Sequence, residues 1–304
     1  MGNPVQAFVP GIYPRSEELV QATRDLDRGR TTPEAVDAQV ARDLQELVSV
    51  QQRAGVDLLA DGMLSWQDLF RPLVDAVDGL EPGALTRFLD TNTFYRAPRG
   101  TGSEPHLREP LAERYVAPLP GPRLVTLPSP FGLARGTELS QETIAKEVLA
   151  PSLAALDAAL VVLSEPFLAR EDGPDLDGLA SALEQLAGDT PLVLQLTFGD
   201  AGPLLPRLAD LPVHGIGVDF YATRLEDVPE GFDKLLLAGV VDARSSVVED
   251  PDELASFAGL LAERVAGDLA LVPNGDLQYV SQRIAGEKVS QLGAAKKAVL
   301  EAVA

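Results

Sequence analysis

Short apolar runs along the chain alternate with longer stretches in which apolar positions recur every three or four residues. Eight short runs stand out: Val5 to Val9, Val56 to Ala60, Arg123 to Leu127, Ala159 to Ser164, Leu192 to Thr197, Gly215 to Phe220, Leu235 to Val241 and Leu269 to Pro273. Each is close to continuously apolar, as a strand covered on both faces must be. Between them the helical period predicts segments at Pro33 to Ala54, Gln141 to Leu156, Leu176 to Ala187, Pro251 to Val265 and Ile284 to Ala302. Thr32 before Pro33 and Asp250 before Pro251 read as N-caps followed by proline at the first helical position. Eight parallel strands alternating with helices in 304 residues predict an α/β fold, a single (β/α)8 TIM barrel over residues 1–304. An open dinucleotide-binding sheet is disfavoured, because no G-x-G-x-x-G follows the first strand.

The even spacing fails once, at residues 80–122 between the second and third predicted strands. That is too long for a structureless loop in a compact domain. The alternation from Thr86 to Tyr95 predicts a hairpin capping the barrel, and the proline- and glycine-rich remainder, Arg96 to Pro122, reads as an exposed excursion.

Composition narrows the function. The chain is 45% hydrophobic, yet no apolar run approaches the ~20 residues of a membrane helix. No basic-then-apolar leader opens the sequence, so a cytoplasmic location without membrane contact is expected. The absence of cysteine removes disulfides, thiolate ligands and thiol nucleophiles. With 46 acidic against 25 basic residues the formal charge is −21, which argues against a nucleic-acid partner. The same charge fits either a well-solvated surface or adaptation to high salt.

In a barrel, functional side chains lie at the C-terminal ends of strands and in the loops after them. Those positions hold Tyr13-Pro14-Arg15, Asp61, Glu165-Pro166, Gln195 to Asp200, Asp219, Asp242-Ala243-Arg244 and Asn274-Gly275-Asp276. Glu165, Asp219 and Asp242 are the candidates for acid–base catalysis, since grouped carboxylates raise one another's pKa or gather a hard cation. The alternative is that each caps a helix or pairs with Arg15, Arg87 or Arg244. His106, in the excursion, and His214, just before a strand at the opposite end, read as surface residues. Trp66 and Phe70, four residues apart, read as core.

The order of several motifs resembles cobalamin-independent methionine synthase. They are Tyr13-Pro14-Arg15, Gly55-Val56-Asp57 leading into Asp61-Gly62, the string Asp90 to Tyr95, Ser164-Glu165-Pro166, Gly239 to Arg244, and Pro273 to Leu277. The resemblance covers nearly the whole chain. It implies a methyltransferase family built from two face-to-face barrels, the C-terminal one holding zinc, homocysteine and the folate methyl donor. The N-terminal barrel supplies scaffold and part of the folate site. One barrel is expected here.

The family's zinc positions fall on Gln195, Thr197, Asp219 and Gly275, which cannot make a tetrahedral nitrogen/sulfur site. Its homocysteine contacts fall on Met63 and Ser164. Thr197 to Asp200, Ser65 with Asp68, and Val218-Asp219-Phe220 look more like the N-terminal barrel. The resemblance therefore implies a zinc-less N-terminal-type barrel acting with a separately encoded zinc-bearing barrel in methionine biosynthesis. Its small-molecule ligand would be methyltetrahydrofolate with a polyglutamate tail. The expected substrate-binding residues are Arg15, Arg87, Asp90, Asn92, Gln195, Arg244 and Asp276, with the arginines, Asp90 and Asn92 gathered on one rim. The family's tail-binding basic residues at the first helix are replaced by Ser16-Glu17-Glu18, whereas Arg87 keeps the charge of a tail-binding lysine. Two other classes stay open: a metal-free enzyme of the uroporphyrinogen decarboxylase type acting on an acidic small molecule, and a folate- or small-molecule-binding protein without chemistry.

With neither thiolate nor strand-end histidine, the purified chain is expected to hold no stoichiometric zinc after dialysis. Elemental analysis is the measurement, and one chelation-resistant zinc per chain would contradict the ligand alignment.

Overall fold

Strands that are apolar on both sides need partners along both edges and cover on both faces. In a computed structural model that describes residues 5–303, apart from 112 and 114 and the side chain of residue 303, the chain meets both demands. The strands are β1 (Val5–Ala7), β2 (Val77–Asp78), β3 (Leu80–Arg87), β4 (Phe94–Gly100), β5 (His106–Leu107), β6 (Leu124–Pro128), β7 (Leu160–Glu165), β8 (Leu192–Leu196), β9 (Gly215–Asp219), β10 (Leu235–Val241) and β11 (Leu269–Pro273). Seven of them make one curled parallel sheet in the order β1-β11-β10-β9-β8-β7-β6. Seven of the eight predicted strands thus form, within two residues of their expected ends.

The predicted strand Val56 to Ala60 does not form a ladder. Leu59 makes one isolated parallel bridge to Arg123, donating to the Pro122 carbonyl and accepting from Leu124 N, both at 2.9 Å. On the other side Asp57 N donates to the Ala7 carbonyl at 2.9 Å. Ala7 N then bonds the Asp57 carboxylate at 2.8 Å. A side chain has replaced a main-chain rung, which is why the segment touches both edge strands without being a regular strand.

Two separate cores follow from the alternation of side chains along the strands. The smaller holds Phe8, Ala60, Leu124, Leu160, Val162, Val193, Leu237, Ala270 and Val272, on the concave side of the sheet. The larger lies between the sheet and its helices, built on the convex-facing residues Val161, Leu163, Leu194, Ile216, Val218 and Leu271.

Local chemistry sets the helix ends. Asp250 caps the helix Pro251–Arg264 by accepting from Asp252 N at 2.8 Å and Glu253 N at 3.3 Å. Thr32, expected to do the same for Pro33–Ala54, makes no side-chain cap bond, and Pro33 alone sets that start. The predicted helix Gln141 to Leu156 is interrupted: Ala150 N bonds Ala145 O, making a π turn over Ala145–Leu149. Pro151 explains it, since it supplies no N–H and its ring displaces the preceding carbonyls.

The segment after the short helix Arg71–Ala76 is more ordered than expected. The hairpin pairs β3 with β4, so Arg96 to Gly100 belong to it rather than to an exposed excursion. Further on, β5 pairs antiparallel with β2, and Leu107 and Val116 are buried. Trp66 and Phe70 are buried as expected, though in a run of turns, with the indole N–H donating to the Tyr115 carbonyl at 2.8 Å. No helix among the described residues is long and apolar enough to cross a membrane.

The last helix, Gln282–Val303, carries a wholly buried cation. Lys288 Nζ bonds both oxygens of Glu249 at 2.8 Å and the Val247 carbonyl at 2.5 Å. Its side chain is 0% and that of Glu249 10% exposed, so neither charge has water to fall back on. Removing one partner of a buried pair leaves the other stranded. Lys288→Met should therefore lower the unfolding free energy by about 3 kcal/mol, while Glu249→Gln added to it should cost far less than the two single changes summed. Urea denaturation of the single and double variants measures both.

Candidate functional site

At the C-terminal ends of the strands the concave face turns polar, since Gln195 continues the Val193 register and Ser164 that of Val162. Gln195 donates to the Pro273 carbonyl at 3.0 Å. Gly217 makes room for it, because a Cβ there would lie 2.7 Å from Gln195 Cγ. Beside them Asp219 accepts from Asn274 Nδ2 at 3.0 Å and Tyr221 N at 2.9 Å, while Asn274 Oδ1 takes the Ala243 N–H at 2.9 Å. The second oxygen of Asp219 is buried with no hydrogen-bond partner among the described residues. Burial pushes its pKa up, opposed by the Asn274 bond and by Arg244.

Phe198 roofs this layer. It is 2% exposed and sits at φ +55°, a left-handed conformation that costs a non-glycine residue about 1 kcal/mol. Its ring meets Tyr279 edge-on at 5.6 Å, and the Arg244 guanidinium lies 4.5 Å above it. A Cβ at position 275 would collide with that ring, so glycine is required there for space. Gly11 answers the same need beside Asp276, where a Cβ would strike Oδ1. Asp276 accepts from Ile12 N at 3.0 Å and Gln278 Nε2 at 3.1 Å, and burial lifts its pKa to about 6.

The hairpin closes over the mouth. Phe88 and Tyr95 on it pack with Phe70 and Phe167, ring centres 5.6 to 6.2 Å apart. Arg170 ties it down, donating to the Phe198 carbonyl at 2.9 Å and to Asp90 at 3.2 Å. Arg87 is spent within the turn, on the Thr91 carbonyl at 2.6 Å and Asn92 Oδ1 at 3.1 Å. Between the turn and Asp276 a cavity of about 20 Å³ remains, room for one water.

Of the residues expected from sequence, Gln195 and Asp219 lie in the polar layer, Arg244 lies on Phe198, Asp276 follows the glycine that the Phe198 ring covers, and Asp90 is linked to Phe198 through Arg170. Arg87 and Asn92 sit behind Asp90 in the turn. Arg15 stands apart: its guanidinium donates to the Trp66 carbonyl, its charge is disfavoured by burial and supported by Asp43, and it lines a separate cavity with Glu17 and Glu18. Glu165 faces away from the concave layer. Wholly buried, it accepts from the Ser129 hydroxyl, Phe167 N at 2.6 Å and Leu168 N at 2.8 Å, and so organises the turn after β7. Asp242 is half-buried and accepts from Arg244 N at 3.0 Å. His106 and His214 are both exposed, His214 Nδ1 accepting from Leu192 N.

Arg170 and Tyr279 were not singled out by sequence, and Phe198 was named only as part of the strand-end run Gln195 to Asp200. Arg170 had a signal, being the first basic residue after Glu165-Pro166 in a strand-end loop. The residues at the family's zinc positions do not fit a zinc ion. Gln195 is committed to a carbonyl, Asp219 to an amide, and the space at Gly275 is filled by Phe198.

A curled parallel sheet with a polar layer at its strand ends defines a protein of the TIM-barrel type. Residues 133–265 match the family model described as the N-terminal domain of cobalamin-independent synthase. A 5-methyltetrahydropteroyltriglutamate–homocysteine methyltransferase from Mycobacterium tuberculosis is 30% identical over 282 residues, 78% of this chain and 37% of the relative. One from Rhodococcus jostii is 28% identical over 325 residues, 91% of this chain and 43% of the relative. A B12-independent methionine synthase from Shewanella sp. W3-18-1 superposes with a TM-score of 0.72 at 16% identity, covering 99% of this chain and 98% of that one. The putative enzyme from Listeria monocytogenes gives 0.70 at 15% identity, covering 98% and 99%. The chain belongs to the cobalamin-independent methionine synthase family. It spans about two fifths of the curated relatives it matches.

The buried acids give the fold a pH signature. Asp276 moves from 3.8 to about 6, so well below 3.8 it is protonated whether folded or unfolded and its environment favours the fold. As pH rises through 6 the folded state must ionise it in a buried site, and about 3 kcal/mol of that stability is lost. Asp276→Asn is expected to flatten the decline between pH 4 and pH 7, read from urea midpoints at each pH.

Proposed function

We propose that this chain is the zinc-less, N-terminal-type barrel of a methionine synthase. It acts in the cytoplasm with a separately encoded zinc-bearing barrel, which transfers a methyl group from methyltetrahydrofolate to homocysteine. The match of residues 133–265 to the N-terminal domain of the synthase carries this reading. Phe198 in the space beside Gly275 supports it, because zinc chemistry then belongs to a different chain. In this reading the sheet is a full eight-stranded barrel over residues 1–304, residues 57–60 holding the eighth position by their bonds to β1 and β6, and residues 80–122 are an insertion that caps it.

The chain's contribution is to bind and orient the polyglutamylated folate. Arginine forks suit its carboxylates: Arg244 at the mouth, with Arg170 and Arg87 released when the hairpin lifts. Lifting is required, since the closed mouth leaves about 20 Å³. A metal-free enzyme of the uroporphyrinogen decarboxylase type is the second reading, favoured by the buried, unpartnered Asp219 oxygen as a proton-holding group.

Mixing the chain with the zinc-bearing barrel encoded in the same genome should restore methyl transfer that neither shows alone. Turnover of an acidic substrate by the isolated chain would establish the second reading instead. In calorimetric titration, Arg87→Ala should weaken methyltetrahydrofolate binding roughly tenfold, and more for the polyglutamylated form. Equal affinities would remove Arg87 from the site, and no binding to either protein, partner present, would end the folate assignment.

A further inference from the structure

Outside the mouth, between the ends of β9 and β10 and the helix Pro251–Arg264, lies a cavity of about 480 Å³, within the range of small-molecule sites. Its walls are aromatic: Phe220 and Phe257 meet edge-on at 5.3 Å, and Tyr221 adds a ring that is 54% exposed. Its rim is acidic, with Asp242, Glu249, Asp250 and Glu253, and among the described residues no lysine, arginine or histidine lines it. Glu249 is already matched by Lys288 from behind and by the Tyr221 hydroxyl at 3.2 Å. Asp242 and Asp250 accept backbone N–H bonds, and the exposed Glu253 carboxylate is in no ion pair among the described residues.

These features select a ligand class. Aromatic faces attract a cation through the ring quadrupole, and flanking carboxylates add attraction to the same charge. Among the described residues no three carboxylates or histidines converge closely enough to hold a metal ion. The negative charge is spread along a rim, which suits an organic cation whose apolar body fills the walls. We propose that this pocket binds a primary ammonium carried on an aromatic body. Its preference is opposite in sign to that of the mouth, where Arg244 and Arg170 favour anions. One loop separates the two, Asp242 facing the pocket and Arg244 lying on Phe198.

The test is calorimetric titration of the whole chain at low salt with three probes of one shape: phenethylammonium, 2-phenylethanol and 3-phenylpropanoate. The ammonium should bind saturably, roughly tenfold tighter than the alcohol, with no binding of the carboxylate. Glu253→Gln and Tyr221→Ala, both at exposed positions, should each weaken the ammonium roughly threefold or more, with melting temperature checked to show that the variants fold. Absence of saturable binding up to about 10 mM would overturn the proposal. So would equal affinity for the alcohol or the carboxylate, or an affinity untouched by both substitutions in folded protein.

Discussion

A curled parallel sheet ends in two rows of unpaired backbone groups, and the rest of this fold depends on how those rows are satisfied. The edges are β1 and β6, and the short segment around Leu59 is bonded to both. Asp57 does most of this: its N–H meets the Ala7 carbonyl, its carboxylate takes the Ala7 N–H, and Lys296 from the last helix lies 3.0 Å away to balance the charge. One side chain thereby joins the first strand, the segment between the edges and the C-terminal helix. The curl it helps maintain brings the ends of β8, β9 and β11 together, so that Gln195, Asp219 and Asn274 share one polar layer.

That layer reverses the electrostatics of the exterior. The surface of a chain with a formal charge of −21 holds its acids in water. Glu165, Asp219 and Asp276 are removed from water and Asp61 is half-buried, and burial is the largest influence on each, moving the pKa upward. Three of the four keep both oxygens in hydrogen bonds, to N–H groups, a hydroxyl or an amide. Among the described residues Asp219 does not, and the arginine that acts on it, Arg244, lies on Phe198, one of four non-glycine residues held at positive φ.

Much of the architecture was legible because continuous apolar runs such as Leu160 to Leu163 have few other uses, and the parallel order followed from the helices between them. The segment Val56 to Ala60 was placed correctly between strands but misjudged in kind, since a carboxylate standing in for a main-chain group leaves no trace in a hydrophobic pattern. The hairpin was legible in its turn, Asp90 to Thr93, but not in its length: β3 begins with Leu80-Glu81-Pro82-Gly83, residues that discourage a strand assignment. At the site, sequence located strand ends but not side-chain directions. Glu165 and Ser164 are neighbours in sequence and face opposite sides of the sheet, and Arg15 turns to a carbonyl fifty-one residues away. Lys288 was invisible because nothing in a helical period distinguishes a lysine aimed at water from one aimed at a buried glutamate.

Phe198 and Gly275 share a single volume, and this makes their histories interdependent. While the ring is in place, every side chain at 275 is excluded, whatever its chemistry. The ring in turn can settle there only while 275 has none. The order in which the two residues could be exchanged is therefore constrained: position 198 must shrink before position 275 can grow. An intermediate that took the steps in reverse would have to displace an aromatic ring held by Tyr279 and Arg244, on a backbone tied by Arg170.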